Sequence, residues 1–145
     1  MSPYQSHRFA KFFVGLALLW ASPSFAQQGD RLAPDAPTRI AGVESVCTGV
    51  GLDARQDPRW NTYSLKVEIA GPGGQYLGDE HLVLRQSGKD LLALTCDGPW
   101  ILFQLPAGRY EVEARVGDQT VSSAAFALAS GQGRIILRFQ DRASP

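Results

Sequence analysis

Residues Asp97–Val121 read Asp-Gly-Pro-Trp-Ile-Leu-Phe-Gln-Leu-Pro-Ala-Gly-Arg-Tyr-Glu-Val-Glu-Ala-Arg-Val-Gly-Asp-Gln-Thr-Val. From Tyr110 onward, Tyr110, Val112, Ala114 and Val116 alternate with Glu111, Glu113 and Arg115. A period of two sends successive side chains to opposite faces, so this is a strand with one side in a core and the other in water. Trp100 to Leu105 is nearly all apolar, the pattern of a central strand covered on both faces. Pro106-Ala107-Gly108 turns the chain between the two strands. Gly117-Asp118 then makes a two-residue hairpin loop whose leading glycine suits a type II′ turn.

Working outward, the same alternation recurs. Tyr63, Leu65, Val67 and Ile69 alternate with Ser64, Lys66 and Glu68, and Gly71-Pro72-Gly73-Gly74 ends that run. Tyr76 to Arg85 gives a strand with Leu82 and Leu84 inward and Glu80 on the same side at its start; Leu92, Leu94 and Cys96 share one face of the next. Val43–Thr48 is the first strand and carries Cys47, while Thr120–Leu128 and Arg134–Gln140 close the chain with Ile135, Leu137 and Phe139 inward. Leu52 to Asn61 is a charged, Pro-broken connection with room for one helical turn. Glu111 and Glu113 are expected to meet Arg134 and Arg138 of the last strand. Short strands at regular spacing predict an all-β fold, a single antiparallel β-sandwich of about seven strands. The expected common core is Leu65, Val67, Ile69, Leu94, Phe103, Leu105, Val112, Ala114, Leu137 and Phe139. Residues 27–39 read as a flexible leader, 40–140 as the sandwich domain and 141–145 as a polar tail.

Residues 1–26 have the form of a cleaved signal peptide. Arg8 and Lys11 make a positive start, Phe12–Ala21 an apolar run, and Ser24-Phe25-Ala26 a small-residue cleavage site. The run is about half the roughly twenty residues needed to span a bilayer, so no membrane anchor is expected in the mature form. The location implied is periplasmic or secreted. The full chain balances 14 basic against 14 acidic residues, and loss of Arg8 and Lys11 leaves a slight acidic excess. With no basic cluster, nucleic acid is not an expected partner. The 2 cysteines, Cys47 and Cys96, are expected to form a disulfide in an oxidising compartment.

The segment Leu105-Pro106-x-Gly108-x-Tyr110-x-Val112-x-Ala114 resembles the closing strands of carboxypeptidase-regulatory-like and transthyretin-like β-sandwich domains. The likeness runs over roughly residues 63–139. Thr48-Gly49-Val50-Gly51, Asp53-Ala54-Arg55 and Asp97-Gly98-Pro99-Trp100 are also similar to a group of small secreted proteobacterial proteins to which no activity is assigned. Thr48 and Ala54 depart from that group's glycine and glutamate. The resemblance implies an Ig-like or transthyretin-like sandwich acting as a non-catalytic module, used for protein contacts and in some relatives for sugar binding. A transthyretin-like branch that hydrolyses a urate product uses several histidines and a C-terminal Tyr-Arg-Gly-Ser; this chain has His81 alone after residue 26 and ends Asp-Arg-Ala-Ser-Pro.

Catalytic chemistry finds little to work with. One imidazole, His81, makes no paired-histidine metal site, and no Gly-x-Ser-x-Gly elbow occurs. Asp53 and Asp57 are balanced by Arg55 and Arg59 in the same loop, which reads as a salt-bridged loop rather than a calcium site. No enzyme activity, cofactor or metal is expected. Trp60, Tyr76 and Trp100 all adjoin turns, so carbohydrate stacking is the alternative to a protein or cell-envelope partner. Gly49–Trp60 and Asp97–Trp100 are the segments richest in residues that a plain sandwich does not require. Joined at their bases by Cys47–Cys96, they define a candidate binding rim of Asp53, Arg55, Trp60, Asp97 and Trp100.

Overall fold

The computed structural model describes residues 29–141. The expected signal peptide, and all but the first residue of the expected tail, lie outside the described residues. Among these the strands are β1 (Asp30–Arg31), β2 (Thr38–Ile40), β3 (Val43–Thr48), β4 (Leu65–Ala70), β5 (Glu80–Gln86), β6 (Lys89–Cys96), β7 (Trp100–Gln104), β8 (Gly108–Val116), β9 (Gln119–Ala127) and β10 (Gly133–Arg138). A single helical turn α1 (Leu52–Gln56) and a 3-10 segment (Pro58–Thr62) join β3 to β4.

The strands form two five-stranded sheets, ordered β1-β6-β5-β8-β9 and β10-β4-β7-β3-β2. Their facing sides share one core. Leu82, Leu84, Leu94 and Val112 of the first sheet pack with Leu65, Val67, Ile101 and Phe103 of the second, each fully buried. All ten residues expected to be buried together belong to this cluster. Burying each such side chain is worth about 1.5–3 kcal/mol. Ile101 and Phe103 face this core while Leu102 is buried on the other side of the strand, so β7 is covered on both faces as expected. The Gly117-Asp118 loop joins Val116 to its partner Gln119, with Gly117 at φ 60°.

Four expectations are corrected. The sheets are mixed rather than antiparallel: β10 runs parallel to β4, and β1 parallel to β6. Alternation reveals which face a residue takes but not which strand lies beside it. The Ser64 carbonyl accepts from the Leu128 and Gly133 amides, and this draws the β9–β10 connection across to the second sheet. Ten strands stand among the described residues where about seven were expected, the short β1 and β2 among them. The leader expected over 27–39 also fails in its described part: β1 pairs with Leu94 and Thr95, β2 pairs with β3, and Leu32 between them is 2% exposed. Short paired segments with one buried residue carry too little periodicity to stand out in sequence. Finally, the Arg134 guanidinium meets Glu68, not Glu111 or Glu113, whose partner is Arg85. The cause is topological, since β10 and β8 lie in different sheets.

Candidate functional site at the disulfide end

Cys47 on β3 and Cys96 on β6 are joined by a disulfide, which ties the two sheets together at one end of the molecule. The segments leaving the bridge touch at once. The Gly98 amide donates to Cys47 Sγ at 3.4 Å, and a Cβ on Gly98 would sit 2.4 Å from the Thr48 carbonyl oxygen. Gly49, at φ +92°, passes so close to the Trp100 ring that a Cβ there would lie 2.8 Å from it. Positive φ and close approach both demand glycine. The tip beyond it is apolar and exposed: Val50 is 64% and Leu52 60% accessible.

The sequence-derived rim divides in two. Arg55 and Asp97 line one depression of about 260 Å³, together with Gly49, Gly51, Tyr76 and Pro99. Arg55 Nη1 donates to the Gly49 carbonyl at 3.2 Å, and its guanidinium lies 5.5 Å from the centre of the Tyr76 ring. Tyr76 meets Trp100 edge-on at 6.0 Å. Asp97 is ion-paired with Arg31, which also approaches Asp79 at 3.6 Å. Trp100, 7% exposed, lies under this arrangement as a floor, with Lys66 Nζ 3.8 Å above its ring centre.

Trp60 belongs elsewhere. It is 3% exposed and donates from Nε1 to the Ala54 carbonyl at 2.9 Å. With Tyr63, Val46 and Leu102 it forms a small cluster that pins the helical connection onto the outer face of the second sheet. Asp57 accepts from the Arg59 guanidinium and backbone amide, which hold its carboxyl below the usual range. Asp53 is exposed on α1. Of the three aromatic residues that a sugar platform would use, only Tyr76 is substantially exposed, at 43%. Val50 and Leu52 were not singled out from sequence; the signal available was an apolar residue between two glycines, which no strand pattern can bury.

Two buried carboxylates flank this end. Glu68, 3% exposed in its side chain, sits between Lys66 at 2.9 Å and Arg134 at 2.8 Å. Burial pushes its proton affinity up, but hydrogen bonds from Arg134 and Lys66 outweigh this and the carboxyl lies below its usual value. Glu80 lies opposite Cys96 in the β5–β6 register, on the core side. It is wholly buried, and neither carboxylate oxygen has a hydrogen-bond partner among the described residues. Burial above all, with lesser contributions from the Asp97 and Asp79 charges, pushes its pKa up to about 9. It is therefore a neutral acid at neutral pH.

No family model and no curated protein matches the chain. The site must be read from its own chemistry. No group of three or more His, Cys, Asp and Glu side chains is placed to hold a metal ion among the described residues. His81 is half-buried on the outward side of the first sheet, beside Asp79, Thr95 and Arg115. No helix among the described residues is long and apolar enough to cross a membrane.

Proposed function

We propose that the protein is a non-catalytic binding module of an oxidising compartment, periplasmic or extracellular, which contacts a protein or cell-envelope partner through its disulfide end. The resemblance to carboxypeptidase-regulatory-like and transthyretin-like sandwiches supports this reading. One observation carries it: Val50 and Leu52 stand 64% and 60% exposed on a glycine-flanked tip. That tip is held over the depression by a fully buried inter-sheet disulfide. Apolar side chains raised on a rigid base, beside an arginine and an exposed tyrosine, have the composition of an interface centre. The carbohydrate alternative has less support, because Trp60 and Trp100 are buried.

The test is photo-crosslinking in the periplasm, with p-benzoylphenylalanine replacing Val50 in one variant and Ser122, on the far sheet, in another. A discrete adduct from position 50 and none from position 122 is the expected result. Equal labelling from both positions, or none from position 50, would count against this end as the contact surface.

A further inference from the structure

The disulfide end continues onto the outer face of the second sheet, where the charges on β10, β4 and β7 are one-sided; the outward carboxylate of β3, Glu44, is engaged by the Tyr63 hydroxyl. On the outward side of β10, β4 and β7, the ionisable residues are Lys66, Glu68, Arg134 and Arg138. The single carboxylate, Glu68, is sunk beneath the other groups with 3% of its side chain exposed, whereas the Arg134 side chain is 55% exposed. Arg55 leans over the same surface from α1. Tyr76 stands at the centre of these groups: it bridges to Ala70, whose partner on β10 is Arg138. Solvent therefore meets Tyr76, packed edge-on against the buried Trp100, with the Arg55 guanidinium at its ring and Asp97 of the same depression already paired with Arg31, on a molecule of balanced overall charge.

Two of those cations are uncommitted. Lys66 and Arg134 share Glu68. Among the described residues, the Arg55 guanidinium meets the Gly49 carbonyl and the Tyr76 ring, and neither it nor Arg138 has a carboxylate partner. A guanidinium offers a planar fork of donors that matches a carboxylate in bidentate geometry. Held against an aromatic ring, it also loses less freedom when it binds.

We propose that this face binds an acidic, extended peptide segment of a partner protein, with carboxylates engaging Arg55 and Arg138 and an apolar side chain lying on Tyr76. The inference rests on the binding-module reading and names the chemistry of its partner. Charge complementarity favours an anionic occupant, and the exposed ring and neighbouring Val50 favour one that also carries apolar side chains. A polyanion with no apolar groups would leave that part of the surface unused.

The experiment uses the purified mature protein and a fluorescein-labelled probe peptide of sequence Glu-Phe-Glu-Leu-Glu. Its controls are the Gln-Phe-Gln-Leu-Gln isostere and a sulfated disaccharide. The expected result is anisotropy saturation by the acidic peptide, at least tenfold weaker binding of the isostere, and a several-fold loss between 50 and 300 mM salt. Arg55→Gln with Arg138→Gln should weaken the acidic peptide about tenfold, while Arg109→Gln on the opposite sheet should not. Amide shifts of Gly49, Gly51 and Gly74 in the unmutated protein provide a readout independent of the variants. Equal binding of isostere and acidic peptide overturns the proposal, as does stronger binding of the disaccharide, an Arg109→Gln effect of the same size, or no binding at 1 mM. If position 50 still crosslinks while the acidic peptide fails, the module reading stands and this inference alone falls.

Discussion

Glu80 is the residue whose chemistry most sharply conflicts with its surroundings. Its folded pKa of about 9 lies far above the usual carboxyl value of 4.5. Between those values the unfolded chain has released the proton while the folded chain still holds it. Stability must then fall as pH rises, by about 1.4 kcal/mol per unit for one such group, levelling out above the folded value. At pH 7 the cost approaches about 3 kcal/mol. Urea midpoints measured from pH 5 to 9 should therefore decline for the native sequence and decline much less for Glu80→Gln; identical profiles would show that the carboxyl is not buried as a neutral acid. Trp60 and Arg55 give a second prediction, because their burial differs. Trp60→Ala should cost about 3–5 kcal/mol by emptying the cluster with Tyr63, Val46 and Leu102. Arg55→Ala should change the melting temperature by only a degree or two, since its one hydrogen bond goes to a loop carbonyl. Calorimetry of the two single variants checks both. A design treating the pair as equivalent rim residues would confuse folding with binding.

At the scale of the elements, the disulfide and the β9–β10 connection hold the sheets in place. Replacing Cys47 and Cys96 by Ala releases a cross-link spanning 49 residues, which should cost about 4 kcal/mol in the chain-entropy view. A loss below 1 kcal/mol in urea would mean that the bridge adds little to the packing already present. Gly133 gives a sharper local test. A Cβ there would stand 1.8 Å from the Phe126 carbonyl oxygen, a backbone atom that cannot step aside. Gly133→Ala should destabilise by more than about 2 kcal/mol and disturb the β10 register, visible as shifted amides from Leu65 to Ala70. What the sequence made legible follows the same division. The inward sets of β4, β7 and β8 were readable because alternation records burial directly. The parallel placement of β10 was not readable, because no side chain encodes which edge a strand will join. Glu68 was missed for a related reason. It takes the outward position its alternation demands, yet Arg134 and Trp100, joining Lys66 of its own strand, cover it from strands whose adjacency only the topology reveals.

For the whole molecule, the last strand completes the second sheet beside β4, almost seventy positions earlier in the chain, as in the pair Arg138↔Ala70. Leu137 and Phe139 are 1% and 2% exposed, so they are part of the common core rather than a trim on its edge. A chain ending at Ser130 should show no cooperative thermal transition and poor amide dispersion, because β4 would lose one of its two neighbours and the core two of its large side chains. A folded, cooperative truncation would show that the other nine described strands hold the core without β10. The parallel pairing also has a mechanical meaning. Tension drawing the C-terminal end of β10 away from the N-terminal end of β4 would slide the two lengthwise, loading their ladder in shear, so that its bonds resist together rather than parting one at a time. Once that grip fails, the covalent bridge withholds the 49-residue span between its cysteines from extension. At about 3.5 Å per residue, an oxidised molecule would lengthen by roughly 170 Å less than a reduced one. A tethered copy would thus yield to force with a built-in stop.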